Sequence, residues 1–97
     1  MEVRYTSQKV QNICTNERQM KRRLDAVVSK KLRLRIAELH NVESFDDLLR
    51  GTGRWERLTA DCAGQWSARL SANWRLIVVD EGGSPVVALV IEITDYH

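Results

Sequence analysis

Proline occurs once, at Pro85, and cysteine twice, at Cys14 and Cys62. A chain so poor in proline and without serine- or glycine-rich tracts is no linker or low-complexity segment. Two cysteines 48 residues apart make neither a disulfide framework nor a zinc site, and thiols left free fit a reducing cytoplasm. Long apolar runs are missing too. The longest, Val86 to Ile91, falls far short of the ~20 residues that span a bilayer, and Glu2 and Arg4 stand where a signal peptide needs an apolar stretch. The expectation is a cytoplasmic protein with no membrane contact. Its 97 residues make one domain, 1–97, and a chain of this size buries only about two-thirds of its unfolded surface, so a long-lived partner can supply further burial.

Net charge is also small, with 15 Lys and Arg against 13 Asp and Glu, but it is unevenly spread. Residues 1–35 carry +7, 36–49 carry −4, 50–75 carry +3 and 76–97 carry −4. All but four of the cations are arginine, whose planar fork suits phosphate and carboxylate. Two readings stand, a solvated helix face and a polyanionic partner.

The first half reads as helix and the second as strand, which predicts an α+β fold. Val3-Arg4-Tyr5 suits a short strand, Ser7 through Cys14 a short helix, and Asn16 with Gln19 a helix N-terminus. Met20, Leu24, Val28, Leu32, Ile36 and Leu39 then recur at three- or four-residue spacing and form one helical stripe, with a break allowed near Leu24-Asp25. Arg18, Lys21, Arg22, Lys30, Arg33 and Arg35 fall mostly off it. His40-Asn41 ends the helix, where an imidazole complements the dipole, and Ser44 with Asp47 can cap a short helix through Leu49.

From Trp66 to Val78 the even positions are apolar (Trp66, Ala68, Leu70, Ala72, Trp74, Leu76, Val78), and the odd ones are polar until Ile77 and Val79. This is an antiparallel pair with one wet face. Glu81 to Pro85 is a turn. Val86 to Thr94, apolar on nearly both faces, is an interior strand. Directly opposed residues share a face, so a three-residue loop Ser71-Ala72-Asn73 sets Leu70 against Trp74 and Arg69 against Arg75. Two guanidinium groups side by side cost stability unless a carboxylate (Asp95, Glu56 or one on a helix) or a phosphate lies between them. By the same alternation Asp95 and His97 share a face and Tyr96 takes the other. A terminal His is usually frayed, but beside an arginine pair it can move a proton at a phosphate. With Glu56 as second proton-transfer group, these residues are what metal-free RNA cleavage needs. Parity puts Trp66 and Trp74 in the core. Trp55, between Arg54 and Arg57 with Glu56, either stacks a base or packs under the helices.

The segment Ala63-Gly64-Gln65-Trp66-Ser67-Ala68-Arg69-Leu70-Ser71-Ala72-Asn73-Trp74-Arg75-Leu76-Ile77, with Asp95-Tyr96-His97 at the end, resembles the HigB branch of the RelE/ParE toxin superfamily. The basic helical half and Ser44-Phe45-Asp46-Asp47-Leu48 resemble it as well. The resemblance implies helices packed on one face of a small, mainly antiparallel sheet. It implies a toxin of a type II toxin–antitoxin pair: an endoribonuclease that cuts mRNA on the ribosome and is neutralised by a HigA-like helix-turn-helix antitoxin, touching operator DNA only through it. No metal or cofactor is implied. By position, Arg75 and Arg69 match phosphate-contacting arginines, with Arg57 a further candidate for phosphate. Tyr96 matches a substrate-holding aromatic, His97 a general acid and Asp95 a functional carboxylate. Glu56 matches the catalytic glutamate of the YoeB-like branch. Lys21, Arg22, Lys30 and Arg33 are candidate contacts to ribosomal RNA or antitoxin. Three positions depart from the pattern, with Thr59 replacing a lysine and Cys62 and Ser71 replacing arginines. Those losses sustain two alternatives: a ParE-like toxin that occupies a protein such as DNA gyrase without chemistry, and a weak enzyme acting mainly with its antitoxin in repression.

Overall fold

The computed structural model describes residues 1–95. Tyr96 and His97 lie outside the described residues. Strand β1 (Glu2–Tyr5) leads into α1 (Gln8–Thr15), α2 (Glu17–Arg23), α3 (Ala26–Asn41) and α4 (Phe45–Leu48). Strands β2 (Glu56–Arg57), β3 (Gln65–Arg69), β4 (Trp74–Asp80) and β5 (Val87–Asp95) follow, with a 3-10 turn at Ala60–Cys62 between β2 and β3. The sheet order is β1-β5-β4-β3-β2. β1 runs parallel to β5, and every other neighbouring pair is antiparallel. The fold is α+β, and the apolar strand at residues 87–95 is interior as its sequence requires.

Ser, Asn and Asp side chains decide where the first three helices begin, because they accept from backbone N–H groups left free at the helix start. Ser7 accepts from the Val10 N–H at 3.1 Å, Asn16 from Gln19 at 3.2 Å and Asp25 from Val28 at 2.8 Å. Asn16 and Leu24 both adopt extended backbone angles, and each turns the chain between two helices. The apolar stripe therefore belongs to two helices rather than one rod. At α4 the expected cap differs: Ser44 precedes the helix but makes no side-chain capping bond.

The stripe residues meet the even face of the sheet. Met20, Val28, Leu32 and Leu39 pack with Ala68, Leu76, Val78 and Val90, all at most 1% exposed. Trp66 lies beside Phe45, with ring centroids 5.2 Å apart, and Trp55 is also buried. Trp55 is thus a packing residue and offers no face to a base. None of the helices among the described residues is long and apolar enough to cross a membrane.

Cys14 is buried in this core, Cys62 is exposed, and both thiols are free. Burial pushes the Cys14 thiol up to about 12. Burial, and secondarily the neighbouring Cys14, also raises the Tyr5 phenol. At pH 8 Ellman's reagent is expected to titrate one thiol in the native protein and two after denaturation. A second thiol reacting as fast as the first without denaturant would place Cys14 outside the core. Because the unfolded thiol ionises first, stability is complete below about pH 9 and declines as pH rises from there toward 12.

Candidate active site

The β3–β4 hairpin closes as its parity requires. Arg69 opposes Arg75, Ala68 opposes Leu76, and the Leu70 N–H donates to the Trp74 carbonyl at 3.0 Å. The Ser71 hydroxyl accepts from the Trp74 N–H at 3.1 Å and fixes the loop. Arg75 is anchored in its own turn: Nη1 donates to the carbonyls of Ser71 (2.8 Å), Trp74 (3.0 Å) and Ala72 (3.2 Å). Arg69 is exposed. Among the described residues, neither arginine is ion-paired to a carboxylate.

Glu56 opposes Ser67, whose second neighbour along β3 is Arg69. Glu56 is therefore diagonal to Arg69 on the same face, at the ~7–8 Å spacing that long side chains bridge. This is the face turned away from the helices. It is not uniformly wet, since Ser67 is 5% exposed and Ile77 only 1%, both lying inside the sheet between β2 and β5.

The register beyond β4 overturns one expectation. Ile77 opposes Glu92, but Val78 opposes Val90, so Ile91 is an extra residue in β5 and forms a β-bulge. The bulge inverts the parity of the strand end. Thr94 stands opposite Arg75, and Asp95 stands opposite Trp74, on the helix side of the sheet. Asp95 therefore does not share a face with the arginine pair. Glu92 does, diagonal to Arg75 as Glu56 is diagonal to Arg69. Sequence reading missed Glu92 and Thr94, although a charge at an even position after Val86, Ala88 and Val90 was the available sign of a shift in register.

Arg57 also lies elsewhere. It opposes Trp66 on the helix side, stacks with its guanidinium carbon 5.2 Å from that ring centroid and pairs with Asp46 at 3.1 Å. The step from Glu56 to Arg57 crosses the sheet, so the two cannot serve one face. Lys21, Arg22, Lys30 and Arg33 lie exposed on α2 and α3, in the layer across the sheet from Glu56. Lys21 and Arg33 both pair with Glu17, at 3.4 and 3.1 Å. The expected general acid His97 and the substrate-holding Tyr96 are outside the described residues.

Arg35, which the helical spacing sets off the apolar stripe, is 5% exposed. Its Nη1 donates to Glu38 and its Nε to the Arg69 carbonyl at 3.2 Å, while the Trp55 indole donates to the other Glu38 oxygen at 3.1 Å. Gly53 is the close-approach point of this network. A Cβ there would lie 2.6 Å from the indole nitrogen and 2.9 Å from Glu38. Gly53→Ala is expected to destabilise the protein by about 1–3 kcal/mol, as other overpacked sites do. A thermal melt within 2 °C of wild type would show that the loop can yield.

No protein-family model matches the sequence, and no curated protein matches it significantly. Solved structures share its fold. A YoeB/ParE toxin from Agrobacterium tumefaciens superposes with a TM-score of 0.71 at 22% identity, covering 100% of both chains. The heterotetrameric YoeB–YefM toxin–antitoxin complex from Staphylococcus aureus gives 0.60 at 20% identity, over 100% of this chain and 97% of that one. YafQ from E. coli gives 0.60 at 16% identity, over 97% of this chain and 91% of the other.

Proposed function

We propose that the protein is the toxin of a type II toxin–antitoxin pair, an endoribonuclease of the HigB kind that cuts mRNA on the ribosome. The observation that carries this reading is the opposed pair Arg69–Arg75 on the helix-free face of the sheet, with Glu56 diagonal to it. The shared fold with YoeB/ParE toxins, one of them in complex with an antitoxin, adds to it.

In this reading the two guanidiniums hold the scissile phosphodiester. Glu56 takes the proton of the ribose 2′-OH, and the 2′-oxygen attacks phosphorus. The P–O5′ bond breaks, and the departing 5′-oxygen takes a proton from an acid, the role the family resemblance gives to His97. The products are a 2′,3′-cyclic phosphate and a 5′-hydroxyl. Fixed cations favour the reaction because the phosphorane carries more negative charge than the ground-state diester. Lys21, Arg22, Lys30 and Arg33 are then left for ribosomal RNA or for an antitoxin of the HigA type, through which alone operator DNA is reached.

The test is incubation of purified protein with programmed ribosomes and mapping of message ends. Cyclic-phosphate termini that fall with Glu56→Gln support the reading. A second reading, a ParE-like toxin that blocks DNA gyrase, draws on Thr59 standing where the family carries a lysine. Uncut message together with loss of gyrase supercoiling would select it.

A further inference from the structure

A cleft of about 240 Å³ opens where the hairpin loop meets α3 and the 51–54 loop, lined by Lys31, Arg35, Thr52, Arg54, Arg69 and Ser71. Four of these residues are cations, and Glu38, the carboxylate that the described residues bond into the cleft wall, is already held by Arg35 and Trp55. Lys31, Arg54 and Arg69 are exposed and, among the described residues, none of the three is paired with a carboxylate. Cations converging on one concavity focus a positive field into it, and the arrangement is favourable when an anion enters.

The cleft is built rather than accidental. Its inner wall is the buried Arg35, held at Nη1 and Nε. Arg54 sits at φ 50°, a left-handed conformation that costs a non-glycine residue free energy and recurs at binding sites. Buried neighbours on either side, Gly53 and Trp55, fix it there. The Ser71 hydroxyl accepts from two backbone N–H groups, so its own hydrogen remains to donate into the cleft. At this volume the cleft suits a phosphodiester with its waters and lies below the ~300–1,000 Å³ of pockets for drug-sized ligands.

Arg69 belongs to both places. Its side chain stands beside Arg75, its carbonyl accepts from Arg35, and its N–H donates at 3.1 Å to the carbonyl of Gly53, which lies between the lining residues Thr52 and Arg54. We infer that the cleft binds a second phosphate of the RNA strand, next in line to the one at the Arg69–Arg75 pair. The inference rests on the ribonuclease reading for its ligand and deepens it: the enzyme grips an extended strand at two phosphates, and Lys31 and Arg54 are strand-binding residues.

The test is binding of a 2′-O-methyl oligoribonucleotide, which cannot be cut, to wild type and to the exposed-site double variant Lys31→Gln/Arg54→Gln. The variant is expected to bind about tenfold more weakly, with a salt slope reduced by about 0.7, the value of one single-strand phosphate contact. A dinucleoside monophosphate, with one phosphate, is expected to bind both proteins equally. Equal affinity and slope for the long oligonucleotide would overturn the cleft assignment and leave the ribonuclease reading standing. Weaker binding by the double variant, together with a wild-type protein that cuts no message, overturns the ribonuclease reading and leaves the second phosphate site standing. A glutamate-rich peptide that binds as tightly and is weakened equally would make this a carboxylate site and overturn its assignment to RNA.

Discussion

Arg75→Ala protein is expected to cut ribosome-bound message about 10²–10³-fold more slowly than wild type, the usual cost of removing a fixed donor from developing negative charge. The size of the effect follows from how Arg75 is held. Three carbonyls of its own hairpin fix one nitrogen of the guanidinium, so little ordering remains to be done when a phosphate arrives. The same bonds brace the turn, and the alanine variant is expected to lose about 1–2 kcal/mol of stability as well. Arg69→Ala separates the two contributions. Arg69 is exposed and faces a like charge across the strand pair. Its removal should leave the melting temperature unchanged or slightly raised while cleavage falls at least about tenfold, because surface like-charge pairs destabilise by only tenths of a kcal/mol. Opposite signs for stability and activity are what a site residue shows and a scaffold residue does not. An Arg69→Ala enzyme with undiminished cleavage would remove the arginine pair from the mechanism.

The arginine pair was legible in the sequence because a period of two is a geometric constraint: once Trp66, Ala68, Leu70, Trp74 and Leu76 claim one face, Arg69 and Arg75 must share the other. The helical stripe was legible for the same kind of reason. What failed was whatever depended on a break in period. The bulge at Ile91 exchanged Asp95 for Thr94 beside Arg75 and brought Glu92 onto the open face, and the strand's apolar residues on both sides hid the change. Arg57 failed for a simpler reason. Charge alone proposed it for phosphate, yet its neighbour Glu56 occupies the open face and a strand cannot send adjacent side chains the same way. Arg35 looked like one more surface cation because the groups that complete its network are distant in sequence: the Arg69 carbonyl that accepts from its Nε, and the Trp55 indole that donates to its counter-charge, Glu38.

That buried network sets the second large effect. Glu38→Ala leaves the Arg35 guanidinium without its carboxylate and the Trp55 indole N–H without its acceptor, both inside the core region. Breaking a buried ion pair from one side costs about 3–5 kcal/mol, because a desolvated charge is left uncompensated. For a domain of this size that is a fall in melting temperature of roughly 12 °C or more. Glu38→Gln keeps an acceptor for the indole and is expected to lose about half as much. The double variant Arg35→Met/Glu38→Gln removes both charges while keeping an acceptor for the indole, and should recover most of the stability, since neutral replacements of buried pairs are often tolerated. The two variants diverge in function. The double variant also removes the inner wall of the cationic cleft and the Arg35 bond to the Arg69 carbonyl. It is therefore expected to fold but to hold a long RNA less tightly than wild type. Recovered stability together with undiminished affinity would assign Arg35 to the scaffold alone, whereas recovered stability with weakened binding ties Arg35 to the strand site, as the cleft's inner wall and as the support of Arg69.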